Sequence, residues 1–403
     1  MRRRPPSSDA AELVDSRALI HFLCAVSFAL AAGLWLCLAA TARRFRGAPD
    51  APCGLPMTLI KPVKGLDDDM EEGFRSIVAA DPRATLQILI ALETEADPAY
   101  PFARAFADAH RDRDVSVFLT GPSGPRMGKI HNMIGALPRA RHPYVLFSDA
   151  DTRITPALLA DTARAFRDGA DAVYAMPYHA YAPGWGVWLF VVAFNHSFCV
   201  PVALTARAGK LRSFAGAWMG YTKDAIERIG GLPRFENAMA EDLSMGLAAA
   251  DAGLRQELLR VPVSVSETGT SFGEAFLHVS KWATIIFWSW PAIILAAPLL
   301  SPGLAACAAL ALAAVTGRSM APALAALAAA TVSRVAVGFY QDRFFGGPRA
   351  PWWRYATLAF ADLGALAFLP MALRRTVTWR GKTYRISLGG RGRVVSGPVD
   401  LLT

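Results

Sequence analysis

Charged residues are scarce in this chain. Of its 403 residues only 19% are Asp, Glu, Lys or Arg, whereas 53% are apolar. A soluble domain carries about a quarter charged residues, so a purely soluble globule and a disordered chain are both excluded. Cysteine is scarce as well: Cys24, Cys37, Cys53, Cys199 and Cys307 include no C-x-x-C pair. A disulfide framework and a zinc cluster are thereby set aside, and these cysteines read as small buried hydrophobes in a reducing compartment. No period of about 20–50 residues recurs, so the chain is not a solenoid. A stripe of basic and aromatic residues is also missing, so nucleic acid is not an expected partner despite a formal net charge of +9.

The positive charge sits beside apolar runs instead: Arg2 to Arg4, Arg43, Arg44 and Arg46 near the start, and Arg374, Arg375, Arg380, Lys382 and Arg385 near the end. Bases flanking apolar segments orient a chain in a membrane. Residues 18–40 hold no formal charge and are long enough to cross a ~30 Å hydrocarbon core. Ala40-Thr41-Ala42 imitates a signal-peptidase site, but signal h-regions run only to about 7–15 residues, so a retained anchor is expected. Residues 185–205 are apolar enough to imitate a span, yet Asn195 and His196 interrupt them and Pro201 should disturb a spanning helix. A surface that meets the bilayer and receives a lipid is expected there, with a core helix plus a strand as the plain alternative.

After Trp282 the apolar stretches are 283–300, 303–317, 319–333 and 357–373, the last carrying only Asp362. Asp362 is costly in lipid and should face another helix. A cytoplasmic middle domain and a cytoplasmic basic tail require an even number of intervening spans. That favours four, or two with re-entrant pieces.

Between the membrane segments, strand and helix patterns alternate. Met57–Pro62, Thr85–Leu92, Val115–Leu119 and Tyr144–Phe147 read as strands, and Asp69–Ala80 as a helix with Met70, Phe74, Ile77 and Val78 on one side. Such alternation predicts βαβ units and a mostly parallel sheet, whose ligands bind beyond the carboxyl ends of the strands. There the fourth strand runs into Ser148-Asp149-Ala150-Asp151. Two carboxylates at i and i+2 can hold a hard divalent cation that also binds substrate phosphates, although D-x-D occurs by chance in many loops. Ala240-Glu241-Asp242 precedes a helix-like run, where a carboxylate can be a simple cap. His278-x-x-Lys281-Trp282 precedes an apolar run, where an aromatic beside a cation is ordinary interfacial anchoring.

Their order is more specific than any one of them. The chain reads K-P-V-K-G (Lys61–Gly65), E-T-E-A-D-P (Glu93–Pro98), G-K-I-H-N (Gly128–Asn132), D-A-D, A-E-D, H-x-x-K-W and a terminal W-R-G-x-x-Y-R (Trp379–Arg385). This succession, over roughly residues 18–390, resembles the family-2 and family-21 inverting glycosyltransferases, particularly the ceramide glucosyltransferases and their bacterial relatives. The resemblance implies an α/β fold of GT-A type, Rossmann-like with a mostly parallel sheet, and a UDP-sugar donor with Mg²⁺ or Mn²⁺. It implies that Lys61, Pro62, Lys64 and Gly65 line the nucleotide pocket, with Glu93, Glu95 or Asp97 at the uridine. Lys129 and Asn132 help hold the donor, Asp149 and Asp151 face the metal and diphosphate, and Asp242 is the general base beside Glu241. His278, Lys281 and Trp282 close over donor and acceptor. Two positions depart from the family pattern. His278 and Lys281 stand where Q/R-x-x-R-W is usual, and lysine lacks arginine's planar fork; Thr94 stands where an aspartate is frequent.

The expected organisation is a tail (1–17), a transmembrane anchor (18–41), a linker (42–54), the GT-A domain (55–282), a C-terminal transmembrane region (283–373) and a basic cytoplasmic tail (374–403). The expected setting is the bacterial inner membrane, with the catalytic domain facing the cytoplasm. The expected acceptor is a membrane lipid, ceramide first and a hopanoid or other lipid as the alternative. From another class, a transporter or scaffold with a non-catalytic nucleotide-binding domain would share the composition.

Overall fold

The computed structural model describes residues 8–45, 54–67, 69–212, 214–265, 269–348 and 350–396. Arg2 to Arg4, Arg46 and Cys53 lie outside the described residues. In chain order the strands are β1 (Met57–Pro62), β2 (Leu86–Leu92), β3 (Asp114–Leu119), β4 (Tyr144–Ser148), β5 (Thr152–Arg153), β6 (Ala172–Tyr174) and β7 (Pro177–His179). They continue with β8 (Trp218–Thr222), β9 (Gln256–Leu258), β10 (Val263–Val265), β11 (Thr376–Trp379), β12 (Lys382–Ile386) and β13 (Gly392–Ser396).

The main sheet has the order β3-β2-β1-β4-β8-β6-β9. Its first four strands are parallel, and β8 runs antiparallel to both β4 and β6. Every residue of β1 and β2 is buried, as expected when both faces of a parallel sheet are covered. Side chains divide by the two-residue period of a strand: Ile60, Leu89 and Phe147 pack into one core and Leu59, Ile88 and Leu146 into the other. The helix Met70–Ala80 buries Met70, Phe74 and Ile77 on one side, with Val78 half-buried beside them. The strand expectations and the mostly parallel α/β class are met.

One feature of this topology places the site. Because β8 is antiparallel to β4 with Ser148 opposite Trp218, the residues entering β8 reach the same sheet edge as those leaving β4. The carboxyl ends of β1 and β2 reach it too.

Among the described residues, three helices are long and apolar enough to cross a membrane: 16–42, 185–207 and 321–345. Phe272–Ser289 and Pro291–Leu300 together form a fourth candidate bent by 114°. The first lies in the helix Ser8–Arg44, which extends through the expected anchor on both sides. It packs on Pro302–Val315 and Ala321–Phe345 through Ala306, Ala309, Ala323 and Ala326, small side chains that let helices approach closely. Ser27 Oγ donates to the Pro302 carbonyl (2.8 Å) and Trp35 Nε1 to Ser333 Oγ (3.2 Å).

Several expectations are corrected. Pro201 does not interrupt residues 185–207: Trp185–Ala193 and Cys199–Arg207 are joined by a widened five-residue π turn, Phe194–Phe198, and such a turn takes up irregularity inside a helix. Asn195 is not an interruption either, because its amide pairs with both the N–H and the carbonyl of His179 (3.1 and 3.0 Å). Residues 357–373 break into short helical pieces around Gly364 and Pro370 rather than one span. The boundary drawn after Trp282 falls inside the helix Phe272–Ser289, and the basic tail is a folded three-stranded meander, β11-β12-β13. Asp362 does face another helix, lying 3.5 Å from Arg334 and accepting the Gly303 N–H.

Candidate active site

The helix Gly128–Ala136 carries Lys129 in its first turn. The Lys129 ammonium lies 2.7 Å from Asp149 Oδ1 and 2.8 Å from Glu241 Oε1. It therefore joins the loop after β4 to the first turn of the helix Glu241–Asp251. Asp242 is the next residue of that turn, and the Leu243 N–H donates to its Oδ1 at 2.7 Å. Gly216, just ahead of β8, completes the crevice: a Cβ there would collide with Lys129 Nζ and come within 3.3 Å of Asp242 Oδ2 and 3.5 Å of Glu241 Oε1. Absence of a side chain keeps this space open.

Electrostatics divide the group. Burial and the adjacent Glu241 push the Asp242 carboxyl up to about 7, against the opposing pull of Lys129. Burial, Asp149 and Asp67 push Asp151 up to about 7 as well. Burial works against a charged Lys129, but Asp149, Glu241 and Asp242 outweigh it and hold its pKa well above the usual lysine value. Lys61 is fully buried, lowered by burial to about 8, and braces the end of β4 through the Asp149 carbonyl (2.7 Å) and Ser148 Oγ (3.4 Å).

A second group forms at the ends of β1 and β2, where Pro62 closes β1. Lys64 pairs with Glu93 Oε1 at 3.0 Å, and Glu93 Oε2 accepts from the Ser123 N–H (3.0 Å) and Ser123 Oγ (2.9 Å). Burial raises the Glu93 pKa, but the Ser123 and Lys64 contacts win and hold it below the usual range. Asp97 accepts the Gly65 and Ala99 N–H groups, bracing the turn. Asn132 is buried, donates to the Val63 and Ala91 carbonyls and accepts from Thr120. Glu95 is exposed and accepts the Tyr100 hydroxyl at 3.1 Å. The polar atoms of Asn132 and Asp97 are thus used to shape the pocket.

The third group is aromatic. His278 and Trp282 lie 4.4 Å apart between ring centres, and Phe194 packs on Trp282 at 4.6 Å. Trp379 of β11 reaches His278 at 5.5 Å, and Lys281 Nζ lies 5.6 Å from the Trp379 ring centre. A cavity of about 400 Å³ opens beside this cluster, lined by Thr270, Glu274, Leu277, His278 and Lys281 among others.

A family model described as Glycosyl transferase family 21 matches residues 19–392. The chain belongs to glycosyltransferase family 21. Two curated relatives are ceramide glucosyltransferase 1 and ceramide glucosyltransferase 3 of Caenorhabditis elegans, 21% and 22% identical over 60% of this chain. The chain spans about half the length of each, 52% and 53%. Among solved structures, the mannosyltransferase of Pyrobaculum calidifontis in complex with GDP-Man and Mn²⁺ has a TM-score of 0.46 at 18% identity, covering 86% of this chain and 98% of its own. Glucosyl-3-phosphoglycerate synthase of Mycobacterium tuberculosis, in complex with Mn²⁺, UDP and glucosyl-3-phosphoglycerate, has a TM-score of 0.39 at 15% identity, covering 60% and 85%. Family membership and the sheet order agree with the GT-A-type expectation.

Among the described residues of this family-21 chain, no three His, Cys, Asp or Glu side chains form a metal cage. Asp149 and Asp151 nevertheless fit a divalent cation. They are hard oxygen donors, and burial together with the charges of Asp149 and Asp67 raises the Asp151 carboxyl, a cost that a cation would relieve. Mg²⁺ and Mn²⁺ sites of this kind are completed by waters and substrate phosphates. Sequence reasoning missed Gly216, Ser123 and Lys382. A glycine two residues ahead of the wholly apolar start of β8 was the available signal for Gly216; Ser123 and Lys382 had none.

Proposed function

We propose that this protein is a membrane-embedded inverting glycosyltransferase that moves a sugar from a UDP-sugar to the hydroxyl of a membrane lipid, with ceramide as the acceptor class. The reading is carried by Lys129, which holds a donor-side carboxylate, Asp149, and an acceptor-side carboxylate, Glu241, beside Asp242. The group around Lys64, Gly65 and Glu93 takes the nucleotide. The apolar helix 185–207 and the aromatic cluster around Trp282 offer the lipid its approach. Arg374, Arg375 and Arg385 favour a cytoplasmic face for the domain, and the bacterial inner membrane suits that orientation.

Asp242 accepts the proton of the lipid hydroxyl as that oxygen attacks the anomeric carbon from the face opposite UDP. A base whose pKa lies near the working pH combines availability with driving force, and about 7 meets that condition. The Leu243 N–H fixes one carboxylate oxygen, leaving Oδ2 toward the space at Gly216. Lys129 stays charged and turns to the donor diphosphate, stabilising charge on the departing oxygen. Asp149 and Asp151 would hold a divalent cation, which would supply further stabilisation of that charge when bound.

The test is UDP release. Purified protein given UDP-sugars, Mn²⁺ and a lipid extract should release UDP and form a glycolipid; ligand movement without UDP release would favour a transporter. Lipid mass spectrometry of cells with and without the protein names the acceptor: a missing hexosyl- or uronosyl-ceramide supports ceramide, and a missing aminosugar-hopanoid overturns it in favour of a hopanoid.

A further inference from the structure

The C-terminal meander touches three loops that wall the candidate site. Arg380, in the β11–β12 turn, pairs with Asp67 at 2.7 Å and lies beside Gly65. Lys382 donates to Ser123 Oγ (3.0 Å) and to the Gly124 carbonyl (2.9 Å). The Met239 N–H donates to the Gly390 carbonyl (2.9 Å) and the Gly392 N–H to the Asn237 carbonyl (2.8 Å), just ahead of Glu241 and Asp242. The meander is also hooked to the apolar helix Phe272–Ser289. The Gly389 and Gly390 N–H groups donate to the Trp288 carbonyl, and Trp288 Nε1 donates to the Arg374 carbonyl (2.6 Å).

Lys382 stands out in this arrangement. It is only 7% exposed, and a lysine is almost never buried without partners. On β12 the alternation sends Lys382, Tyr384 and Ile386 inward and Arg385 outward. The Ser123 hydroxyl that accepts from Lys382 itself donates to Glu93 Oε2. Its proton is therefore committed to Glu93, because the ammonium has no acceptor and must be the donor on the other side. The relay has one direction, and Glu93 is set at the carboxyl end of β2 by it.

We propose that the meander is a clasp on the nucleotide pocket, and that Lys382 is its positioning residue, fixing Glu93 through Ser123. The inference rests on the donor reading given above. It makes donor affinity depend on a segment lying beyond every apolar helix, and leaves the Asp242 chemistry to the other side of the crevice.

UDP binding to the full-length protein tests it, measured by calorimetry alongside donor KM and kcat. Lys382→Met should weaken UDP binding and raise donor KM by about tenfold or more, the scale of a lost charge-assisted hydrogen bond, with kcat within about twofold. Ser123→Ala leaves the backbone contacts of the meander intact and should reproduce the effect. The double variant should be no weaker than either alone, because residues in one relay are not additive. Arg385→Met, on the outward face, should bind as the parent does. Unchanged UDP affinity in Lys382→Met, or additive losses in the double variant, would overturn the relay. A parent protein that binds no UDP would overturn the donor reading instead, and the clasp with it.

Discussion

Two polar groups in this molecule, one half-buried and one buried, are built on opposite terms. Around Lys129, the carboxylates Asp149, Glu241 and Asp242 crowd one ammonium, and Asp242 is driven up to about 7 by burial and Glu241. Where the long helix Ala321–Phe345 meets β7, a single carboxylate, Asp342, accepts hydrogen bonds from Tyr178 (2.5 Å) and Tyr355 (2.8 Å). Beside it Gln341 donates to the Asn195 carbonyl, and Asn195 pairs with the His179 backbone. One group has more negative charge than partners; the other has a partner for each carboxylate oxygen. A carboxylate with a donor for each oxygen rigidifies a fold; burial and Asp342 raise the Tyr178 hydroxyl there too, so it is the surplus of carboxylates around one ammonium, not a displaced pKa alone, that marks the first group for chemistry.

The contrast can be broken by substitution, and the largest effect is expected at Asp242. Asp242→Asn should lower transfer by about 10²–10⁴-fold, the usual worth of general-base help, while UDP binding is kept and the protein is no less stable than the parent. Substantial transfer by this variant would remove Asp242 from the base role. Gly216→Ala should come next. Its methyl would displace Lys129, and a misplacement of this size can cost up to about 100-fold; steady-state kinetics with an unchanged melting temperature would confirm that the loss is local.

Tyr178→Phe should do the reverse. It leaves one Asp342 oxygen without its partner, at a cost of about 1–3 kcal/mol, read as a lower melting temperature with transfer per folded molecule unchanged. Loss of transfer at full stability would place Tyr178 in the chemistry and erase the distinction. The remaining effect is a linkage one. A carboxyl raised in the folded protein binds its proton more tightly there than when unfolded, so stability falls as pH rises from the ordinary carboxylate value of about 4 to about 7. Melting without added donor should show the Asp242→Asn variant gaining on the parent across that window. Transfer, which needs the ionised base, should climb with pH toward about 7; parallel pH curves for the two proteins would contradict the shift.

Much of this was legible in the sequence where the pattern is local. The short apolar runs Met57–Pro62 and Thr85–Leu92 read as buried strands, their alternation with helical stretches points to a parallel sheet, and D-A-D at the end of β4 marks the edge where ligands bind. The resemblance to family 21 named Lys129 and Asp242, but the Lys129 bridge between Asp149 and Glu241 depends on which strand neighbours β4, and nothing in the string of residues fixes that β8 runs antiparallel to it. The tail is a similar case. Arg380, Lys382 and Arg385 read as charge that orients the chain in a membrane, and the contacts of Lys382 with Ser123 and Gly124 stay hidden because those acceptors are remote in sequence. Pro201 reads as a helix breaker in the sequence because local rules do not show that a wide turn at Phe194–Phe198 precedes it.

The central claim is a division of labour inside one crevice, with Asp149 on the donor side and Asp242 on the acceptor side. Mn²⁺ titration followed by electron paramagnetic resonance, with UDP present, tests it most directly. Asp149→Asn should lose UDP-dependent Mn²⁺ binding, and Asp242→Asn should bind Mn²⁺ as the parent does while failing to transfer sugar. Equal loss of Mn²⁺ binding in both variants, or in neither, would contradict the assignment.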